Sequence, residues 1–256
     1  MPRLGVNIDH LATLRQLRNT PYPDLLEAAR IVETAGAHQI TVHLREDRRH
    51  IQDLDVKQLR AELKIPMNLE MAAEEEMLRF ATRIMPDWAC LVPEKRNEVT
   101  TEGGLDLAKQ KKRIAGAAAK LRKAGIKVSL FIEPSLEAVK LSSEFGADAV
   151  EFHTGQFCLA SQSALGPRSA AKAKMELERI RKAALLCRKL GMRPHAGHGF
   201  DYVNVRPVVE LLTEDPGDLQ APLIEEYNIG HAIVCRAAIV GLERAVREML
   251  SAIQAP

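Results

Sequence analysis

Short apolar runs recur along the chain at residues 4–8, 39–42, 66–69, 87–92, 128–132, 149–152, 193–196 and 227–229, and each predicts a β-strand. Between them, apolar residues return at three- and four-residue spacing over 25–32, 71–84, 107–121, 136–145, 175–190 and 239–253, which predicts amphipathic helices. Four helix-to-strand joints repeat one pattern, in which a glycine ends the helix and an apolar strand follows: Gly36, Gly125, Gly146 and Gly191. Glycine suits that position because a left-handed backbone costs other residues energy. Strands alternating with helices imply parallel pairing through right-handed crossovers. Eight such units in 256 residues predict an α/β fold of the (β/α)8 type, a TIM barrel with extra helices. The absence of a GxGxxG turn after the first strand argues against an open doubly wound sheet. No composition break divides the chain, so residues 1–256 are expected to form a single barrel domain. The longest irregular stretches are 93–104, 154–168 and 213–222.

Seven of the eight histidines follow a predicted strand: His10, His43, His50, His153, His195, His198 and His231. Only His38 precedes one. In a barrel the loops after the strands form the concave face, so these side chains are expected to gather at one rim, together with Asn7, Asp9, Arg45, Glu70, Glu94, Glu133 and Glu151. Residues two apart share a face of a strand, which places His43 with Thr41, and Glu70 with Asn68. His43, Glu70 and Glu151 are thereby expected to converge, where desolvation and mutual charge would move their pKa values toward neutrality and suit them to proton transfer.

Two glycine–histidine pieces, Gly197-His198-Gly199 and Gly230-His231-Ala232, close the last two units and are expected to open a helix or helical turn, where backbone N–H groups bind phosphate. A second anion site is suggested by Arg45, Arg48, Arg49 and His50, with Arg15 and Arg18 nearby. For Arg48 and Arg49 the preferred reading is a solvated loop compensated by Glu46 and Asp47; the basic run 109–113 and the acidic run 74–76 read as solvated helix faces.

Composition narrows the partners. The 36 basic and 34 acidic residues are well mixed, with a formal charge of +2, which points to neither a nucleic-acid nor a membrane surface. Cys90, Cys158, Cys187 and Cys235 show no CxxC spacing and read as core thiols of a cytoplasmic protein. No apolar run approaches the ~20 residues needed to span a bilayer.

Three strings carry a likeness that these readings do not supply: Gly5-Val6-Asn7-Ile8-Asp9-His10, residues 41–50 (TVHLREDRRH), and Leu91-Val92-Pro93-Glu94-Lys95-Arg96 continuing to VTTEGG at 99–104. Supporting strings are MNLEM at 67–71, HTG at 153–155, AGHG at 196–199 and NIGHA at 228–232. Together they resemble the pyridoxine 5′-phosphate synthase family of the deoxyxylulose phosphate route to vitamin B6. The resemblance implies a (β/α)8 barrel that condenses 3-amino-2-oxopropyl phosphate with 1-deoxy-D-xylulose 5-phosphate, without metal or organic cofactor, as a homo-octamer. It also implies that His43 and Glu70 are proton acceptors, His198 the proton donor and Glu151 a stabiliser of transition-state charge. Asn7, Arg18, Gly199, Gly230 and His231 would hold the aminoketone phosphate. Asp9, His10, Arg45, His50 and Thr100 would hold the deoxyxylulose phosphate. The stretch 93–104 is a candidate lid. The chain departs from the family pattern at His195, where asparagine is common, and in longer loops at 156–168 and 213–222.

Two rival readings stay open. A metal-dependent barrel hydrolase also collects histidines and acids at strand ends, although Asp9 and His10, adjacent on the first strand, would point to opposite sides. A non-catalytic phosphate-binding barrel predicts binding without turnover.

Overall fold

The computed structural model describes residues 1–94, 103–161, 166–214 and 221–254. It opens with β1 (Arg3–Asn7), α1 (Asp9–Arg18), α2 (Leu25–Thr34), β2 (Gln39–His43), α3 (Asp53–Glu62), β3 (Met67–Met71) and α4 (Glu75–Ile84). There follow β4 (Trp88–Leu91), α5 (Lys111–Lys123), β5 (Lys127–Ile132), α6 (Leu136–Glu144), β6 (Ala149–His153), α7 (Gly155–Ala160) and α8 (Gly166–Lys189). The last elements are β7 (Arg193–Gly197), α9 (Arg206–Val209), β8 (Glu226–Ile229), α10 (His231–Val240) and α11 (Leu242–Gln254). All eight strands pair in parallel and in order, and β1 closes on β8.

Every predicted strand is present, and the four repeated glycines hold left-handed backbones, with φ of 101° at Gly36, 85° at Gly125, 74° at Gly146 and 78° at Gly191. The helices differ more from expectation. Neither α1 nor α3 is anticipated by the periodicity, for a common reason: their inward stripes are thin. Leu11 and Ala12 are the buried apolar residues of α1, Val56 and Leu59 those of α3. The helix expected from residue 71 starts at Glu75, because Met71 completes β3 and Ala72 and Ala73 are buried in the connection. The helix expected over 239–253 is two, divided at Gly241 with φ 86°. Helix α8 begins nine residues before the apolar stripe that announces it, and α7 occupies a stretch expected to be irregular. Lys109 and Gln110 of the basic run precede α5 instead of lying in it.

Strand alternation separates two environments. Leu4, Val6, Ile40, Val42, Leu69, Leu130, Val150, Phe152 and Ile229 are buried in the main apolar core, in the layer between sheet and helices. The alternate positions carry Gln39, Thr41, His43, Asn68, Ser129, Glu151, His195, Glu226 and Asn228, all nine of them buried; among them Thr41 is in register with Asn68, and His195 with both Glu151 and Glu226. The barrel interior is therefore largely polar, with Trp88, Cys90, Phe131 and Ala149 as its apolar members on the same faces. At its base Glu226 accepts from Arg3 Nε at 3.1 Å and from Gln39 Nε2 at 2.7 Å. His195 belongs to this base and not to the rim: β7 continues two residues beyond it, its Nδ1 lies 3.8 Å from Glu226 Oε1, and its ring packs edge-on against Trp88 at 5.5 Å. Burial lowers its pKa and keeps it neutral. His195 thus faces the base of the barrel, in register with Glu151 on one side and Glu226 on the other.

Three cysteines are buried, but Cys235 is exposed, so the expectation of core thiols fails there. Its Sγ lies 3.5 Å from His231 Nε2, one turn back on α10. Arg48 pairs with Asp53 and Glu76, not with Glu46 and Asp47, whereas Arg49 pairs with Asp47 as expected. Among the described residues no helix is long and apolar enough to cross a membrane.

At Gly125 and Gly191 a Cβ would meet open space, so an added methyl tests the left-handed backbone alone. Gly125→Ala and Gly191→Ala are expected to cost about 1–2 kcal/mol each in urea unfolding, and asparagine less. Unchanged midpoints for both alanine variants would contradict the backbone requirement.

Candidate active site

The C-terminal ends of β2 and β3 bring the first pair together. His43 is in register with Glu70, and its Nδ1 lies 3.9 Å from Glu70 Oε2. The other ring nitrogen, Nε2, lies 3.0 Å from Glu94 Oε1. Beneath the ring, Asp9 Oδ1 accepts from the His43 backbone N–H at 2.8 Å, while Asp9 Oδ2 accepts from Asn7 Nδ2 at 2.8 Å. Asp9 and His10 are not strand residues, as alternation had suggested, but open α1. Their side chains therefore do not take the opposite orientations of adjacent strand residues, and Asp9, His43 and Glu70 bring three ligand-type atoms within 4.8 Å of one another. Both Asp9 oxygens and His43 Nε2 are already engaged by protein partners, which suits a hydrogen-bonded cluster better than a vacant donor set.

Glu151, on β6, is buried and accepts from Asn228 Nδ2 at 2.8 Å. Burial raises the pKa of Glu70 well above the usual carboxylate range, and the nearby charges of Glu151 and Asp9 add to the rise. Glu151 is likewise pushed up by burial, with Glu226 contributing and the Asn228 hydrogen bond opposing. Both carboxyls are thus held toward their protonated form relative to an exposed glutamate. Glu94 behaves oppositely: burial pushes it up, but hydrogen bonds from His43 and the Glu46 backbone N–H hold it below its ordinary value.

The next stretch of rim carries a second group. His153 Nδ1 lies 2.8 Å from Glu133 Oε1, and the His153 ring lies 4.7 Å from that of His198. His198 has a left-handed backbone with φ 72° and is followed by Gly199 at 90°. Thr154 holds this bend by donating from Oγ1 to the carbonyls of Gly197, at 2.9 Å, and His198, at 2.7 Å. A non-glycine residue so held is strain of the kind kept at functional sites. Burial, reinforced by His153, pushes the His198 pKa down to about 4, so the imidazole is neutral at physiological pH.

The remaining expected residues fall into two sets. Asp9, His10, Arg45 and His50 come together around His43: the His50 ring lies 6.2 Å from that of His43, and Asp9, Arg45 and His10 all act electrostatically on His50. Thr100 lies outside the described residues, as does most of the candidate lid. Of the other set, Gly230 packs against Asn7, where a Cβ would lie 2.8 Å from the Asn7 carbonyl oxygen, and His231 meets the His10 ring at 4.8 Å. Gly230 is the N-cap of α10, as expected, whereas Gly197-His198-Gly199 opens an irregular bend and no helix. Gly199 packs on Cys158. Arg18 is exposed at the end of α1, and no ion pair or hydrogen bond joins it to the rest of its set among the described residues. Arg15 is drawn away to Asp55, with two hydrogen bonds of 2.7 Å.

Glu94, Glu133, His153 and Asn228 stand in the site without having been assigned roles from sequence. Glu94, Glu133 and His153 are visible there as ionisable groups at strand ends. Their pairing with His43 and with one another crosses 51 and 20 residues of chain, a separation that no local pattern reveals.

The raised pKa of Glu151 has a thermodynamic consequence. The native state holds a proton that the unfolded chain releases near pH ~4.3, so this part of the stability is present below that pH and lost as pH rises through the folded value. Glu151→Gln cannot ionise and keeps an acceptor for Asn228. Its Tm advantage over the parent is expected to grow between about pH 5 and about pH 9, and a constant difference across that range would contradict a buried, proton-holding Glu151.

Comparison with known proteins agrees with the geometry. The model of the family described as pyridoxal phosphate biosynthesis protein PdxJ matches residues 4–255. A pyridoxine 5′-phosphate synthase of Trichlorobacter lovleyi is 50% identical over 256 residues, covering 100% of both chains. That of Thioalkalivibrio sulfidiphilus is 52% identical over 250 residues, 98% of this chain and 95% of the relative. Solved structures supply the fold alone: KGPDC from Streptococcus mutans superposes with a TM-score of 0.62 at 12% identity, covering 99% of this chain and 98% of that one. The 3-keto-L-gulonate-6-phosphate decarboxylase of Vibrio cholerae gives 0.60 at 14%, over 98% and 97%. The chain belongs to the PdxJ family of pyridoxal phosphate biosynthesis proteins, whose curated members matched here are pyridoxine 5′-phosphate synthases.

Proposed function

We propose that this chain condenses 3-amino-2-oxopropyl phosphate with 1-deoxy-D-xylulose 5-phosphate to give pyridoxine 5′-phosphate, inorganic phosphate and water by general acid–base catalysis. The observation that carries this reading is the convergence of His43, Glu70 and Glu151 from three strands, in a chain about half identical to synthases named for that product. Joining an amine to a ketone, closing a ring and expelling water and phosphate needs several proton transfers in one shielded pocket. One base cannot serve them all.

In this reading His43 and Glu70 accept protons. The imidazole is oriented by Glu94 on one side, and the burial that raises the Glu70 pKa makes its carboxylate a stronger base. Glu151 faces the charge that develops as bonds rearrange. His198 is the donor, and its neutrality in the free protein gives that role a condition: an imidazole with a pKa of about 4 donates only after an anion raises it. A substrate phosphate beside His198 supplies that charge, so binding would arm the donor.

Asn7, Arg18, Gly199, Gly230 and His231 would hold the aminoketone phosphate. The α10 N-terminus supports this, since no side chain caps its N–H groups. Asp9, His10, Arg45, His50 and Thr100 would hold the second substrate. The reading uses no metal or organic cofactor, and it carries with it the cytoplasmic octamer of the sequence expectation, which light scattering of the purified chain would check.

Incubation with both phosphorylated substrates, with a chelator present, is expected to yield the fluorescent pyridine product; binding without turnover would favour the non-catalytic barrel. His43→Ala and Glu70→Gln are expected to lower turnover by roughly two to four powers of ten while leaving the fold intact. A near-normal rate in either variant would remove that residue from its role. The His198 ring, followed by NMR, is expected to titrate near pH 4 in the free protein and at higher pH once the aminoketone phosphate binds; a midpoint that does not move would separate His198 from the phosphate.

A further inference from the structure

We propose, building on the assignment of Glu151 to the reacting centre, that Asn228 is a positioning residue that confines the acid proton of Glu151 to Oε1 and lets this carboxyl gain and lose it without turning. The carboxamide and the carboxyl face each other across the strand ends in β8 and β6, and each occupies room left by a glycine. A Cβ on Gly5 would overlap Asn228 Oδ1, and one on Gly197 would overlap Glu151 Oε1. Both glycines are in register with Asn228, on the strands at either side of it. Two large polar groups therefore fit at one level of a closed barrel because two of their neighbours have no side chain.

The direction of the hydrogen bonds settles which oxygen is which. Asn68 Nδ2 donates to Thr41 Oγ1 at 3.4 Å, which leaves the Thr41 hydroxyl to donate to Asn228 Oδ1 at 3.1 Å. With its oxygen so occupied, the Asn228 amide turns its NH2 toward Glu151 and donates to Oε2 at 2.8 Å. A carboxyl oxygen that accepts from an N–H at this distance has no room for a proton of its own on the same line. The proton of the neutral acid is left to Oε1, the oxygen beside Gly197, one residue before His198. When Glu151 ionises, the same N–H stabilises the carboxylate, so both protonation states keep one side-chain position.

The titratable groups facing Glu151 are Glu70 from β3, Cys90 from β4, His195 from β7 and Glu226 from β8, with His43 of β2 beyond Glu70. Any test has to separate Asn228 from these. Thr41→Val and Thr41→Ser do so, because they alter the chain of donors and leave every one of those groups in place.

The experiment is an infrared titration of the full-length protein, with the Glu151 carbonyl band identified by subtraction of Glu151→Gln. Asn228→Leu is expected to move the band to higher frequency and its titration midpoint up by about one to two pH units, since the ionised form loses a hydrogen bond. Thr41→Val is expected to shift the midpoint the same way, and Thr41→Ser, which keeps the hydroxyl, to restore it. Thr41→Val is close to isosteric and keeps the measurement open if Asn228→Leu does not fold. A Glu151 band and midpoint unchanged in folded Thr41→Val or Asn228→Leu would overturn the role of Asn228. Full turnover by Glu151→Gln would instead remove Glu151 from the chemistry, and the infrared titration reads Asn228 independently of that outcome.

Discussion

The structure depends on how a closed barrel disposes of its inward side chains. Eight parallel strands put half of their residues into an enclosed space and the other half against the helices. Here the outer layer takes Leu4, Val6, Ile40, Val42, Leu69, Leu130 and Phe152, so burial of apolar area is achieved outside the cylinder. The inside is left mostly to polar groups, with Trp88, Cys90, Phe131 and Ala149 among them, and a buried polar group without a partner costs several times what a satisfied one contributes. Glu226 is met by Arg3 and Gln39, Asn228 by Thr41 and Glu151, and His43 by Glu70 and Glu94. Stability and chemistry thus share one set of contacts.

The same confinement sorts the acids. Glu94 and Glu133 each have a histidine at hydrogen-bond distance and are held below their ordinary pKa. Glu70 and Glu151 have carboxylate neighbours and little solvent, and they are held above it. Four carboxyl groups within one rim therefore divide into two held toward the ionised form and two held toward the protonated form, a division set by neighbours and not by residue type.

Rigidity is distributed unevenly around this rim. His43, Glu70 and Glu151 stand on paired strands, where ladder hydrogen bonds fix the backbone on both sides. His198 stands instead on a left-handed bend secured by Thr154. Among the described residues of the site, His198 is thus the non-glycine side chain carried on a left-handed backbone, next to the left-handed Gly199.

What the sequence by itself determined is the succession of elements and the side of each strand. Apolar runs announce all eight strands, and the left-handed turns occur at the four glycines that precede four of them, because both features are local to a few residues. Period-two alternation also places His43 with Glu70 on inward faces. Helices α1 and α3 were hidden because a helix needs a periodic apolar stripe to be seen, and theirs is two residues wide. Partner choice was decided by tertiary structure alone. Closure of the cylinder sets the register that joins Glu94 to His43, sends Arg15 to Asp55, lowers His195 to the base beside Glu226 and Trp88, and brings Asn228 against Glu151. Those contacts link residues 40 to 77 apart along the chain, or lie deep in the interior, and their energies depend on distance and solvent exclusion, quantities that a linear order of residues does not contain.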